Sequence, residues 1–350
     1  MSTTHNPSQR LTHSVSCAGC AAKVDPRFLQ AALGGVTWPR DERVLVGFEH
    51  ADDAGVFRYP DGSSLVATTD FFTPIVDDPH TFGAVAAANA LSDIYAMGAE
   101  PLFALSIVHF PEVMGAEVLS GILQGAADIA GEAGCPIIGG HSIRSDQLSF
   151  GLAITGRLPA DRAAITNTGA QVGDSLILSK ALGTGILATA WKKDCCPNHA
   201  QATLVATLCR LNRHAGSLLH PFQVHAATDI TGFGLVGHGC EMARGSGRRL
   251  VIDSRQLPLL PGLAEAIAAG CLTRGDKGNR DYAGDLLEIS AGAESTAVHA
   301  ACDPQSSGGL LISVAPDQAP ALLAELHRGG DEQARIIGEV CAGAPGLVLN

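Results

Sequence analysis

Short apolar runs and helical apolar periodicities alternate along the chain, with glycine-rich or acidic turns between them. Arg43–Phe48 and Ser64–Thr69 are rich in β-branched and apolar residues and predict strands. Between them, His50–Gly55 predicts a turn with two carboxylates, Asp52 and Asp53. Asp78-Pro79-His80-Thr81 opens a helix with capping oxygens and an early proline; it runs to about Met97, with Gly98 as its stop. Leu102–His109 predicts a strand. Val118, Leu119, Ile122, Leu123, Ala126 and Ile129 recur at helical spacing. Pro136–Ile138 leads into a predicted turn, Gly139-Gly140-His141-Ser142, and Ser149–Gly156 predicts another strand. Pro159–Gly173 has the composition of a linker. Beyond it, strands are expected at Ser175–Ser179, Val224–Thr228 and Leu310–Val314, and a helix over about Ala202–Leu219. Glycine turns are expected at Gly183-Thr184-Gly185 and Gly232-Phe233-Gly234, and a polar loop at Arg274–Arg280. Residues 1–15 predict a flexible lead, and a short helix follows Pro26. The alternation indicates an α/β (α+β) chain of two units.

Composition narrows this picture. The 350 residues suffice for about two domains. With 46% hydrophobic and 17% charged residues, a sizeable core forms. A net charge of −12 argues against a partner that is nucleic acid or an anionic membrane. Met1–Arg10 has no apolar core of a secretory signal, and no apolar run of about 18 residues predicts a membrane span. The ten cysteines are mostly scattered in apolar context, which favours free thiols and a reducing compartment, the cytoplasm.

The unusual chemistry lies in Ser16–Pro26, where Cys17, Cys20 and Lys23 stand among small residues. An ammonium three residues from a thiol raises its thiolate fraction. A zinc site is disfavoured, since no second Cys-x-x-Cys or His-x₃-His follows at the usual spacing. A redox dithiol and a single nucleophile, Cys20 assisted by Lys23, both remain open. Asp53, Asp70, Asp93 and Asp229 lie at strand ends or on a helix face, and converging carboxylates beside a polyphosphate make a Mg²⁺ site. Taken singly, each is more simply a turn or capping aspartate, except that Asp70 in apolar surroundings and Asp229 before Ile230-Thr231-Gly232-Phe233-Gly234 point to function. Asn89 is four residues before Asp93 and shares its helix face. The glycine turns could present N–H groups to phosphates, but none matches a Walker loop or a full dinucleotide fingerprint.

Taken together, the motifs resemble the selenophosphate synthetase (selenide, water dikinase) family, class I, of the aminoimidazole-ribonucleotide-synthetase-like (PurM-like) superfamily. The resemblance runs from about Arg10 to Asn350. It is carried by Leu11-Thr12, Ala18-Gly19-Cys20 with Lys23, Asp52–Ala54, Thr68–Asp77, Asn89–Gly98, Gly139–Ser142, Thr228–Leu235 and Cys302–Gly309. It implies synthesis of selenophosphate, AMP and phosphate from ATP, hydrogen selenide and water with Mg²⁺; a monovalent cation is a further candidate. It implies catalytic roles for Cys20 and Lys23. Metal binding falls to Asp53, Asp70, Asp93 and Asp229. The nucleotide site takes Lys23, Asp53, Asp70, Asn89, Asp93, Gly139, Gly140, His141 and Ser142. The implied architecture is an arm (1–42), an ATP-binding domain (43–158) and a C-terminal domain (174–350). The N-terminal mixed sheet would close a dimeric β-barrel, and the C-terminal domain would be an α/β sandwich. Candidate partners are a second copy and a selenium-delivery protein. The family's arm reads His-Gly-Ala-Gly-Cys-Gly-Cys-Lys; here Ser16, Cys17 and Ala22 replace its histidine, its first glycine and its second thiol. The rival readings are thiamine-monophosphate kinase, a carbamoyl-dehydrating maturation factor, and a nucleotide-binding regulatory paralogue.

Overall fold

The computed structural model describes residues 10–15, 26–48 and 51–350. Cys17, Cys20, Lys23, Ser16, Ala22 and His50 lie outside them. Helix α1 (Pro26–Gly34) precedes a six-stranded sheet. Its strands are β1 (Val44–Val46), β2 (Gly55–Arg58), β3 (Ser64–Phe72), β4 (Glu100–Phe110), β5 (Ile137–Arg144) and β6 (Ser149–Leu158). Their order is β1-β2-β3-β6-β4-β5, and only β4 and β5 pair in parallel. Helix α2 (Pro79–Ala96) packs on β3 and β6, and α3 (Ala116–Glu132) packs on α2.

Helix α2 begins where its capping chemistry dictates. Asp78 accepts a hydrogen bond from the Thr81 N–H at 2.8 Å, and Pro79 occupies the first turn. From Phe82 to Ala96 every residue except Asp93 is buried. A helix apolar on all sides must be enclosed on all sides. The first sheet and α3 supply part of that enclosure, and the second unit supplies the rest. At the α2–α3 crossing the backbones touch: a Cβ on Gly83 would lie 1.8 Å from the Ile122 carbonyl oxygen, and one on Gly125 1.8 Å from that of His80.

The second unit is a seven-stranded mixed sheet with helices. Its strands are β7 (Ser175–Leu178), β8 (Val224–Asp229), β9 (Arg249–Ile252), β10 (Leu287–Ile289), β11 (Leu310–Val314), β12 (Arg335–Cys341) and β13 (Gly346–Leu349), in the order β10-β13-β9-β12-β7-β11-β8. Strand β11 is buried throughout, as a strand covered on both faces must be. The helices are α4 (Thr184–Lys192), α5 (Asn198–Cys209), α6 (Arg213–Ser217), α7 (Gly234–Ser246), α8 (Leu263–Ala268), α9 (Arg274–Ala283), α10 (Ser295–Cys302) and α11 (Ala319–Arg328). Strands α2 touches here include β8, and it also meets α5 and α6. Residues 159–174 connect the sheets without regular structure, pinned by the Asn167 N–H donating to Asp52 at 2.8 Å. No helix among the described residues is long and apolar enough to cross a membrane.

Several local expectations change. Gly139–Ser142 is not a turn but the middle of edge strand β5, where Gly140 fits because a Cβ would strike Ser106 of β4. The expected helix over 202–219 is two, α5 and α6, because Arg210 turns extended and Asn212 folds inward. Arg274–Arg280 is helical rather than a loop, capped by Thr273, whose side chain accepts from the Asp276 N–H. Gly183-Thr184-Gly185 opens α4 directly. Arg10–Val15 is packed rather than flexible, with Leu11, Thr12 and Val15 buried.

Candidate active site

Asp53, Asp93 and Asp229 interact where the two units join, and Asp70 is tied to Asn89 on the helix that carries Asp93. Asp53 stands just before β2, Asp70 on β3, Asp93 on α2 and Asp229 at the end of β8. Strand alternation turns Asp70 to the same face as Val66 and Phe72, toward α2. There the Asn89 amide donates to Asp70 Oδ2 at 2.6 Å. Asn89 Oδ1 in turn accepts from the Ser307 N–H at 2.8 Å, which ties the first unit to the loop after α10. Ser307 has a positive φ of 48°, uncommon outside glycine, and this backbone aims its N–H at Asn89.

The other carboxylates crowd around Asp53. Thr228, beside Asp229, donates to Asp53 Oδ1 at 2.8 Å, and Thr68 of β3 donates to Asp93. Asp53 is partly exposed as a residue, yet its Oδ2 is buried and meets no hydrogen-bond donor among the described residues. Burial pushes its carboxyl well above the ordinary range, and the charges of Asp229 and Asp93 push it further. Thr228 pulls it back, and Asp52 adds a smaller upward push. No three His, Cys, Asp or Glu side chains among the described residues form a ready-made metal cage. The donor set nevertheless fits a hard divalent cation: all-oxygen ligands, like charges that repel without one, and one buried oxygen with no donor.

A second layer supports this seam. Lys180, at the end of β7, is fully buried; its Nζ donates to the Arg210 and Ser307 carbonyls at 2.6 and 2.9 Å. Burial and then Arg210 bring its pKa down to about 7, against the pull of Asp331 and Asp229. Asn212 donates to Ser92 of α2 at 2.8 Å and to the Gly308 carbonyl at 2.7 Å. Gln305 Oε1 accepts from the N–H groups of Gly183 and Thr184 at 2.9 and 3.0 Å, and Asp303 accepts from that of Ile186 at 2.9 Å. The segment Cys302–Gly309 thus seats the start of α4 and, through Ser307, reaches Asn89. Thr68, Thr228, Lys180, Asn212 and Ser307 escape sequence reasoning as site residues. The one signal for Lys180 is a lone charge closing the apolar run Leu176–Leu178.

Gly139, Gly140, His141 and Ser142 stand apart. Strand pairing puts Gly140 in one row with Ser106, Leu152 and Asp70, but three strands from Asp70, about 14 Å at sheet spacing. His141 points with Ile107 and Phe71 to the opposite face. Within one chain, this stretch does not join the aspartates. Among the described cysteines, Cys195 and Cys271 approach to 2.8 Å between sulfurs, away from this cluster.

This geometry has relatives. Residues 51–158 match the family model "AIR synthase related protein, N-terminal domain", and residues 171–349 match its C-terminal counterpart. Among solved structures, thiamine monophosphate kinase from Aquifex aeolicus superposes with a TM-score of 0.67 at 18% identity, over 93% of this chain and 95% of that one. The HypE–HypF complex contains a chain that superposes at 0.69 with 20% identity, over 93% and 96%. At such identities these two speak for the fold alone. A selenide, water dikinase of Nitratidesulfovibrio vulgaris is 45% identical over 346 residues, 97% of both chains. Those of Pelobacter propionicus and Myxococcus xanthus are 45% and 43% identical, over 95% of both chains and over 97% of this chain and 96% of the other. With a two-unit fold of the AIR-synthase-related type and full-length likeness at this level, the chain belongs to the selenide, water dikinase family.

Proposed function

We propose that the chain carries out the reaction its family is named for: hydrogen selenide, ATP and water become selenophosphate, AMP and phosphate. The observation that carries this reading at the site is the meeting of Asp53, Asp93 and Asp229 beside the Asp70–Asn89 pair at the seam. Asp53, Asp93 and Asp229, with Asp70 beside them, would hold Mg²⁺, which when bound neutralises phosphate charge. Asn89 orients Asp70 and is itself held by Ser307, so nucleotide binding draws on both units.

Cys20 and Lys23 supply the arm's chemistry in this reading. Hydroselenide attacks the γ-phosphorus and the bond to the β-phosphate oxygen breaks, leaving ADP. Lys23 steadies the charge on the transferring group, and the Cys20 arm guides selenide and excludes water. Water then attacks the ADP left behind, giving AMP and phosphate. The arm spans 1–42, the ATP-binding domain 43–158 and the C-terminal domain 174–350. A homodimer fits the outer face of the first sheet, where Phe71, Leu105 and Ile143 are exposed. Closure of that face by a second copy would also change the surroundings of Gly139–Ser142. A selenium-delivery protein and a monovalent cation belong to the same reading, as does a cytoplasmic location.

The test is anaerobic incubation with ATP, Mg²⁺ and selenide, followed by ³¹P NMR with a no-selenide control. Selenophosphate and AMP in equal amount, formed only with selenide, are expected. ADP alone would reject the dikinase reading. Cys20→Ala is expected to lower selenide-dependent turnover while ATP still binds; equal loss of both would make the arm structural.

A further inference from the structure

Within the arm, the stretch Arg10–Val15 that precedes Cys20 is fastened to both units at once. Arg10 Nε donates to Asp77, which lies between β3 and α2 in the first unit. Its Nη1 donates to Asp194 at 2.6 Å and its Nη2 to the Trp191 carbonyl at 2.9 Å, both at the end of α4 in the second. Thr12 adds two bonds to Asp77 Oδ1, from its N–H at 3.0 Å and its hydroxyl at 2.7 Å. The Lys192 ammonium donates to the Val15 carbonyl at 2.8 Å. Burial alone would raise the Asp77 pKa, but the bonds from Thr12 and Arg10 and the Arg10 charge bring it below the ordinary range. Asp194 holds a positive φ of 57°, a conformation rare for a non-glycine residue, and there it meets Arg10.

We propose that Arg10 is a positioning residue that fixes the root of the arm to the seam, so that Cys20 and Lys23 act from an anchored base. This rests on the reading that the arm carries the selenium chemistry. Cys20 lies five residues beyond Val15, a reach of at most about 17 Å along the chain. With Val15 anchored, the chain confines Cys20 to within that reach of the clasp. Without Arg10, the stretch keeps the Thr12 and Lys192 bonds but loses the side chain that joins Asp77 of the first unit to the end of α4 in the second. Only a guanidinium, with several donors in a rigid fork, can hold two carboxylates and a carbonyl together; lysine offers a point charge.

The experiment compares Arg10→Ala, Arg10→Lys, Asp194→Asn and the Arg10→Ala/Asp194→Asn double variant, with Cys20→Ala as a control. It reads kcat and the KM for ATP in selenide-dependent turnover, and hydrogen exchange over residues 10–15. Arg10→Ala is expected to lower kcat by about 10- to 100-fold with the KM for ATP within about twofold. Exchange over 10–15 should accelerate. Arg10→Lys should recover part of the loss, and the double variant should be no worse than Arg10→Ala, because Asp194 acts through Arg10. Unchanged kcat in Arg10→Ala, while Cys20→Ala is impaired, overturns the clasp and leaves the arm reading standing. Full turnover in Cys20→Ala overturns the arm reading itself and the clasp with it. A KM for ATP that rises in step with the loss would also overturn the proposal, by placing Arg10's effect in the nucleotide site.

Discussion

Asp53 shows what the carboxylate cluster costs the fold. Its carboxyl is buried against Asp229 and Asp93, and among the described residues Thr228 alone compensates it. A carboxyl whose pKa is raised on folding stabilises the fold at low pH, and that contribution is lost as pH rises from about 4 toward the raised value. Asp53→Asn removes the repulsion. Its apparent Tm without ligand should exceed the wild type's by on the order of a few degrees at neutral pH, and the gap should close toward pH 4. The same variant should lose about 10²-fold or more of its turnover, and Mg²⁺ with ATP should no longer raise its Tm. Thermal melts across pH, with and without nucleotide, test both halves. A destabilised Asp53→Asn would mean that the carboxylate has a structural role. At this scale the sequence was informative where a charge stood in apolar surroundings, as at Asp70. It placed Thr68, Thr228 and Ser307 in motifs but gave them no role, because they are ordinary residues until the fold brings them to a carboxylate or to Asn89.

At the scale of elements, the α2–α3 crossing is held close by glycine. Gly83→Ala or Gly125→Ala would place a Cβ 1.8 Å from a facing carbonyl oxygen, and backbone cannot retreat cheaply. Either should cost roughly 1–3 kcal/mol in denaturant unfolding. Gly131→Ala, in the same helix as Gly125 but with open space around it, should stabilise by roughly 0.5–1 kcal/mol instead. If all three behave alike, helix propensity rather than close contact governs the crossing. The contrast also explains which elements the sequence revealed. Helix α2 was legible because Asp78, Pro79 and Gly98 mark its ends locally. Helix α9 was not, since charged residues dominate it and Asp276, Asn279 and Ala283 are its only buried side chains. The break between α5 and α6 was hidden for another reason: the Arg210 carbonyl leaves the helix to accept from Lys180, a partner 30 residues away.

At the scale of the molecule, the seam and the outer face make different demands. The seam is closed by polar bonds across the units, from Asn212 to Ser92, Ser307 to Asn89 and Thr228 to Asp53. The outer face of the first sheet is apolar and exposed. Phe71 packs edge-on against His109 at 5.7 Å there, and Leu105 and Ile143 flank them on β4 and β5. In the proposed homodimer, such a face would be the floor of the interface between the two copies. Leu105 is 41% exposed, so a charge at that position is tolerable in a single chain. Across a two-fold interface the same substitution would bury like charges from both copies. Leu105→Glu should therefore shift the protein from dimer to monomer in light scattering while its far-ultraviolet circular dichroism stays unchanged. If β5 completes its surroundings only in the dimer, selenide-dependent turnover should fall with dimer content and recover as protein concentration rises. A Leu105→Glu variant that remains dimeric at low concentration would place the interface elsewhere, and the Gly139–Ser142 stretch would then have no route to the nucleotide through that face.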